Sequence, residues 1–332
     1  MSIQQRIITE DEADIRLDRW FRRHFPTLTQ AVIQKLCRTG QIRVDGKRCE
    51  TSTRLTPGQA VRVPPVPVGT KPAAPQAAPR VVDPLLIEEI NKLVLYRDDQ
   101  LIVLDKPFGL PSQGGPGIRK HLDGMLDGLR DGSADRPRLV HRLDRDTTGV
   151  IVVARSPGVA AKLAASFRGR DVKKTYWAVV VGRPMPSEGR IDVNLVRVDG
   201  FKGERAAIAG PYDTEVARAI TDFTTIDHAG KKMSWLEMHP LTGRTHQLRV
   251  SCGAIPAPIL GDTPYGKEIE GRNTALVDGF SDKLHLHARR IELPHPAGGT
   301  LIVEAALPPH MAQTFRDIGF TAPPPLPPLR KR

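Results

Sequence analysis

Six prolines fall within seventeen residues, 64 to 80, in the stretch "PPVPVGTKPAAPQAAPR". Each proline removes a backbone donor and fixes φ, and the residue before it is pushed away from helical geometry. Such a stretch is neither a helix interior nor a central strand, and without apolar periodicity it reads as a semi-extended linker. The 332-residue chain therefore has to bury its apolar residues in two bodies, one over 1–63 and a larger one over 81–320. A second proline-rich segment, "TAPPPLPPLRKR" at 321–332, reads as an unfolded basic tail.

In the short body, Leu17, Trp20, Phe21 and Phe25 recur at helical spacing and leave Arg19, Arg22 and Arg23 largely outside the stripe. A second helix starts near Thr27 or Thr29 as N-cap, carries Leu28, Val32, Ile33 and Leu36 on one face, and stops at Gly40. Alternating Ile42 and Val44 lead into an Asp45-Gly46 hairpin, and a Pro57-Gly58 turn precedes Val61 and Val63. Charge is concentrated here. Of a formal net charge of +12, eleven Lys/Arg against three Asp/Glu lie between Arg16 and Val63, a footprint that favours a polyanionic partner.

The larger body mixes helices with strands at hairpin-like spacing. "KLVLYRDDQLIVLDKP" reads as two strands joined through Asp98-Asp99, Leu122, Met125, Leu126 and Leu129 share a helical face, and "SPGVAAKLAASFRG" is a helix from Ser156 to Gly169. Few regular βαβ units are legible, so the expected class is α+β, with a mixed, mainly antiparallel sheet, flanking helices and a small N-terminal α/β module. Within it, the charged run His141 to Asp146 abuts the buried strand Val150 to Ala154. Polar groups in that position need partners, and structural ion pairs would satisfy them as well as catalysis would.

Several classes are excluded. No apolar run approaches the roughly twenty residues of a membrane span. Cys37, Cys49 and Cys252 form neither a disulfide framework nor a C-x-x-C zinc pair. The opening "MSIQQRIITEDEADIR" lacks the order of a secretory signal, so residence in the cytoplasm is the expectation. His285-x-His287, His239 and His246, with Asp262, are conceivable metal ligands for an RNA phosphodiesterase, but no H-E-x-x-H pair supports that reading.

Two resemblances sharpen these readings. "RLDRWF…TQAVIQKLCRTGQIRVDGK…LTPGQAVRVP" resembles the alpha-L RNA-binding module, which implies that Arg19, Arg22, Lys35, Arg38 and Arg43 line an RNA backbone face. "HRLDRDTTG" resembles the signature loop of the RluA-type pseudouridine synthases, which isomerise uridine in ribosomal and transfer RNA. The likeness continues through "LDKPFGLPSQGG", "KKTYWAVVVGRP", "LTGRTHQLRVS", "GDTPYG" and "LHLHARRIELPHP", with Thr148 and Val150 as mild departures.

The resemblance implies a pseudouridine synthase fold and an activity that needs no cofactor and no metal. It implies Asp144 as the catalytic carboxylate, Arg244 as its cationic partner and Tyr176 as the residue that packs on uracil and helps remove the carbon 5 proton. Arg142 is assigned to displacing the target nucleotide and His141 to loop support. The module in front of the catalytic body is similar to the branch acting on large-subunit ribosomal RNA, with a transfer-RNA enzyme as the alternative substrate reading and a non-catalytic ribosome assembly factor as the alternative class. A monomer, in contact with RNA and not with membrane, is expected.

Overall fold

The computed structural model describes residues 4–25, 27–65, 83–115, 117–200, 203–269 and 272–331, so most of the proline-rich linker lies outside the described residues. The chain divides into two compact units, Met1–Val81 and Val82–Arg332.

In the N-terminal unit, strand β1 (Gln4–Ile7) precedes helices α1 (Leu17–His24) and α2 (Gln30–Arg38), followed by β2 (Arg43–Val44), β3 (Lys47–Arg48) and β4 (Ala60–Val63). The sheet order is β1-β4-β2-β3, and β1 is an edge strand that the sequence pattern did not reveal. Asp45 and Gly46 both have positive φ, the geometry a two-residue hairpin requires. Thr29 caps α2 by accepting from the Val32 N–H. The buried face of that helix is Ile33 and Cys37, with Leu36 half-buried, whereas Val32, expected inside, is exposed. Cys37 takes the buried place expected of Val32, since a free thiol packs as a small hydrophobe.

The C-terminal unit begins with α3 (Pro84–Asn91), β5 (Val94–Arg97), β6 (Leu101–Lys106), the short α4 (Leu122–Met125), β7 (Arg138–Leu139), β8 (Thr148–Ala154) and α5 (Pro157–Gly169). It continues with β9 (Lys173–Val181), β10 (Glu188–Gly200), β11 (Gly203–Ile208), β12 (Val216–Ala229), β13 (Met233–Pro240) and α6 (Gln247–Ala254). The pair β14 (Glu268–Ile269) and β15 (Arg272–Asn273) then precedes β16 (Leu286–Pro294), β17 (Thr300–Glu304), α7 (Pro309–Ile318) and β18 (Leu329–Lys331). The main sheet runs β11-β10-β12-β13-β9-β16-β8-β6-β5, with β17, β18 and β7 off that path. Among the described residues its pairings are antiparallel except for β8 with β16, so the sheet is mixed and the class is α+β.

The apolar run of β8 is continuous because both of its faces are covered. Val150 and Val152 pack with Val159 and Leu163 of α5, while Ile151 and Val153 pack with Leu122, Met125, Leu126 and Leu129. Those last four residues are buried together, but on a single helical turn that tightens into a 3₁₀ segment rather than on one long helix. At the N-terminal end of α5, Ser156 accepts from the Val159 N–H, and the left-handed residue past its end is Arg170 rather than Gly169. At the head of β8, Gly149 has φ +104°, and a β-carbon there would sit 2.3 Å from the Ala288 carbonyl oxygen on β16. Only glycine lets the one parallel pair close.

The proline-rich C-terminal segment is not an unfolded tail. Its last residues form β18 on the edge of β17, Arg289 donates to the Pro323 carbonyl, and Glu304 accepts from the Leu326 N–H. An open strand edge with unpaired backbone groups is what recruits it.

Two fully buried histidines on or beside β16 make the fold sensitive to acid. His285 bonds the Lys283 carbonyl and Thr314, and His287 shares a hydrogen bond with Thr148. Burial pushes His285 down to about 4 and His287 down to about 3. The unfolded chain then takes up protons first, so stability is lost as pH falls below the ordinary imidazole value of about 6.5. Urea denaturation at pH 7.5 and 5.5 should show a loss of about 1 kcal/mol per histidine, reduced by one histidine's share in His285→Asn. Equal stability at both values would contradict this.

Candidate active site

A cleft of about 980 Å³ opens where the loop before β8, the end of α5, the start of β9, the end of β13 and the start of α6 converge. Asp144, Tyr176, Arg244, Arg142 and His141 all line it, so the sequence-predicted residues of the larger body meet in one place. Among the described residues, seven Lys/Arg line the cleft and Asp144 is the one carboxylate with them.

The loop that carries Asp144 is fixed on both sides of that residue. The hydroxyl of buried Ser112 accepts from the Leu143 N–H at 3.1 Å and donates to the Leu143 carbonyl at 2.6 Å. On the other side, the fully buried Lys106 ammonium donates to the Arg145 carbonyl at 2.8 Å and to the Leu110 and Pro107 carbonyls at 2.8 and 3.1 Å. Both residues come from "LDKPFGLPSQGG", which explains why that distant segment belongs to the site. Leu143 is itself buried and anchors the loop from within. Burial lowers Lys106 to about 8, opposed by the charges of Asp146, Asp144 and Asp105, so the ammonium persists at neutral pH with all three donors used.

Asp144 is partly exposed to the cleft, and its Oδ2 lies 3.8 Å from His246 Nε2. Tyr176, on β9 opposite Ala288 of β16 and Met238 of β13, is half-buried between two core clusters. Burial and the charge of Asp144 push its phenol above the ordinary tyrosine range, which keeps it protonated. His141 stacks on Phe167 at 4.5 Å and accepts from the Val152 N–H at 2.9 Å. Burial, with Lys174 adding, drops it to about 3, so it is a neutral structural imidazole. Arg142 is exposed at the cleft.

The expected pairing of Arg244 with Asp144 is not what the side chains form. Arg244 is exposed and its Nε donates to the Arg218 carbonyl at 3.3 Å, while its backbone N–H is held by Gln247 Oε1. The buried guanidinium of this region is Arg249, one turn into α6, in bidentate contact with Asp262 at 2.9 and 2.6 Å. Burial opposes its charge, but Asp262 and then Asp144 outweigh that and raise its pKa. Sequence reading passed over Arg249 because "GRTHQLRVS" offers two arginines five residues apart. Their spacing does not separate them; the burial of Arg249, inside a run from Leu248 to Cys252 of which every residue is buried, shows in the structure.

Elsewhere, Arg19, Arg22, Lys35 and Arg38 are exposed on the N-terminal unit. Arg43 differs, since it donates to the Gly40 and Gly46 carbonyls and ties the end of α2 to the β2-β3 hairpin. The histidines considered as metal ligands are separately engaged, His239 with Glu237 and His246 with Tyr265, besides the two on the β16 side. No group of three His, Cys, Asp or Glu among the described residues forms a metal site, and no helix among them is long and apolar enough to cross a membrane.

The RNA pseudouridylate synthase family model matches residues 100–254. The ribosomal large subunit pseudouridine synthase C of Rickettsia bellii is 33% identical over 299 residues, covering 88% of this chain and 94% of that protein. The chain belongs to the RluA family of RNA pseudouridine synthases. An S4 domain model matches residues 15–61 of the N-terminal unit. The Vibrio cholerae protein of the same name is 33% identical over 93% of this chain and 94% of its own. A mitochondrial RNA pseudouridine synthase of Arabidopsis thaliana is 31% identical over 83% of this chain and 70% of its own. Among solved structures, human RNA pseudouridylate synthase domain containing 4 superposes with a TM-score of 0.60 at 28% identity, covering 72% of this chain and 97% of that one.

In this enzyme the clamps on Leu143 and Arg145 are separable from the cleft's own side chains. Ser112→Ala leaves a buried N–H and carbonyl unpaired, worth about 1–3 kcal/mol of stability. Lys106→Met strands three carbonyls and costs at least as much. Both variants should lower kcat at saturating RNA by about 10- to 100-fold through misplacement of the loop, with RNA binding nearly unchanged. Wild-type kcat in both folded variants would show that the clamps do not position the loop.

Proposed function

We propose that this RNA pseudouridine synthase isomerises uridines of large-subunit ribosomal RNA, with Asp144 as the catalytic carboxylate and no cofactor. The observation that carries the reading is that Asp144 is, among the described residues, the single carboxylate lining a cleft otherwise rich in Lys and Arg. A polyanion is drawn to such a cleft, and the one negative group in it is free to react with the nucleoside it admits.

The reaction breaks the bond from ribose carbon 1′ to uracil N1 and forms a bond from carbon 1′ to carbon 5. Carbon 5 then loses its proton, N1 gains one, and no atom is added or oxidised overall. Asp144 serves either by adding covalently to the nucleoside or by taking a ribose proton to give a glycal. Buried Arg249, whose positive charge is stabilised in part by Asp144, takes the role of cationic partner first assigned to Arg244. Arg244, exposed at the rim, then meets an RNA phosphate instead.

Tyr176 supplies a ring for the uracil to pack on and a protonated phenol near carbon 5. Extruding the target base from folded RNA costs a few kcal/mol, and the exposed Arg142 is placed to fill the gap it leaves. Arg19, Arg22, Lys35 and Arg38 give the S4 unit a phosphate-binding face, with Arg43 organising it from behind. The ribosomal substrate is supported by the names of the Rickettsia and Vibrio relatives and by the S4 unit.

Tritium release from carbon 5 of labelled uridine tests the whole reading. Wild-type enzyme should release tritium from unmodified large-subunit ribosomal RNA and not from transfer RNA. Asp144→Asn should bind the ribosomal RNA normally and release none. Release by the Asn variant would reject the carboxylate, and release from transfer RNA alone would reject the substrate.

A further inference from the structure

His246 belongs to no role assigned so far, yet its Nε2 lies 3.8 Å from the Asp144 carboxylate. It occupies the N-cap of α6 with φ +52° and ψ +21°, left-handed geometry that a residue with a β-carbon rarely adopts. Outliers of this kind persist where the surroundings over-determine them. Here the following helix is pinned by Gln247, which accepts from the Arg244 N–H and Thr242 and donates to the Ile220 carbonyl and Thr221. The imidazole is thereby aimed between Asp144 on one side and Tyr265 on the other.

Counting protons along this row fixes which ring nitrogen carries hydrogen. The Tyr265 hydroxyl accepts from the Ala206 N–H at 3.2 Å and lies 2.7 Å from His246 Nδ1. Among the described residues those are its two partners, so its own proton is directed to Nδ1. A neutral imidazole that accepts at Nδ1 carries its hydrogen on Nε2. Nε2 is the atom that faces Asp144 Oδ2 at 3.8 Å. That separation is too long for a formed hydrogen bond, and a shift of about 1 Å on substrate closure makes one.

We propose that His246 is a positioning residue for Asp144: a neutral imidazole held by Tyr265 in the Nε2–H tautomer, donating to the carboxylate when RNA closes the site. The surroundings agree with a neutral ring. Burial lowers its pKa, with Arg249 and Arg142 acting in the same direction and Asp144 and Asp262 against it. Tyr265 is in turn held by the Arg249 guanidinium, which lies 4.8 Å from its ring centroid. The arginine pair with Asp262 thus supports the tyrosine, the tyrosine sets the tautomer, and the histidine directs the carboxylate. The functional half of this proposal rests on the reading of Asp144 as the catalytic group, and the tautomer does not.

Two experiments on the full-length enzyme separate those halves. Long-range ¹H–¹⁵N correlation spectra of protein labelled in histidine should show the Nε2–H signature for His246 at neutral pH, and Tyr265→Phe should lose it or mix it with the other tautomer. An Nδ1–H signature in the wild type would overturn the proposal, whatever Asp144 does. For function, His246→Gln and His246→Leu carry the same backbone penalty at a positive-φ position, and only Gln offers an N–H near the place of Nε2. Leu should lower kcat at saturating RNA by about 10- to 100-fold, the worth of a hydrogen bond to a charged group, with KM within about twofold. Gln should restore most of that loss. Equal activity of the Gln and Leu variants would reject the donor role, while activity in Asp144→Asn would reject the underlying reading and leave the tautomer standing.

Discussion

The site depends on a buried ammonium. Lys106 is fully enclosed and gives its three protons to backbone carbonyls, one of them in the loop that carries Asp144. A buried lysine without partners would shed its proton or unfold its surroundings. Here the carbonyls of residues 107, 110 and 145 need donors as much as the ammonium needs acceptors, so the two demands are met together. Ser112 does the same for Leu143 with one hydroxyl. Asp144 is left as the residue whose backbone is held from both neighbours and whose side chain faces the cleft.

That arrangement depends on the strand behind it. β8 is covered on both faces, its head is locked to β16 through Gly149, and Thr148 reaches the buried His287. A charged loop placed against a continuous apolar strand is therefore a fixed platform rather than a mobile connection. The surrounding cations complete the electrostatics: they attract a polyanion, and the enclosed Arg249 with its own counter-ion Asp262 contributes positive potential without a large desolvation cost left unpaired. Positioning is the contribution such a fold makes to a reaction in which no atom enters or leaves overall.

Much of this was legible in the chain. The two-body division, the Asp45-Gly46 hairpin, the stripe Leu17–Trp20–Phe21 and the apolar run of β8 follow from local rules of turn chemistry and periodicity. What escaped depends on tertiary context. Val32 and Cys37 exchanged places because the buried face of α2 is chosen by the core cluster it joins, and a free thiol packs there as a small hydrophobe. The final basic segment became β18 because the edge of β17 lacked a partner, which no feature of "PPLRKR" announces. Arg244 was preferred over Arg249 because spacing does not report burial. The neighbour that matters most to Arg249, Asp262, lies thirteen residues further along the chain. His246 shows its role only once Tyr265 and Ala206 are seen beside it.

A crystal structure of the enzyme with a ribosomal RNA fragment carrying 5-fluorouridine at a modified position tests the account most directly, because fluorine at carbon 5 cannot leave as a proton. The account predicts the fluorinated nucleotide turned out of its stack into the cleft, its ring against Tyr176 and its sugar or base at the Asp144 carboxylate, with Lys106 and Ser112 still holding the loop. A nucleotide seated away from Asp144, or a loop rebuilt without those two clamps, would contradict it.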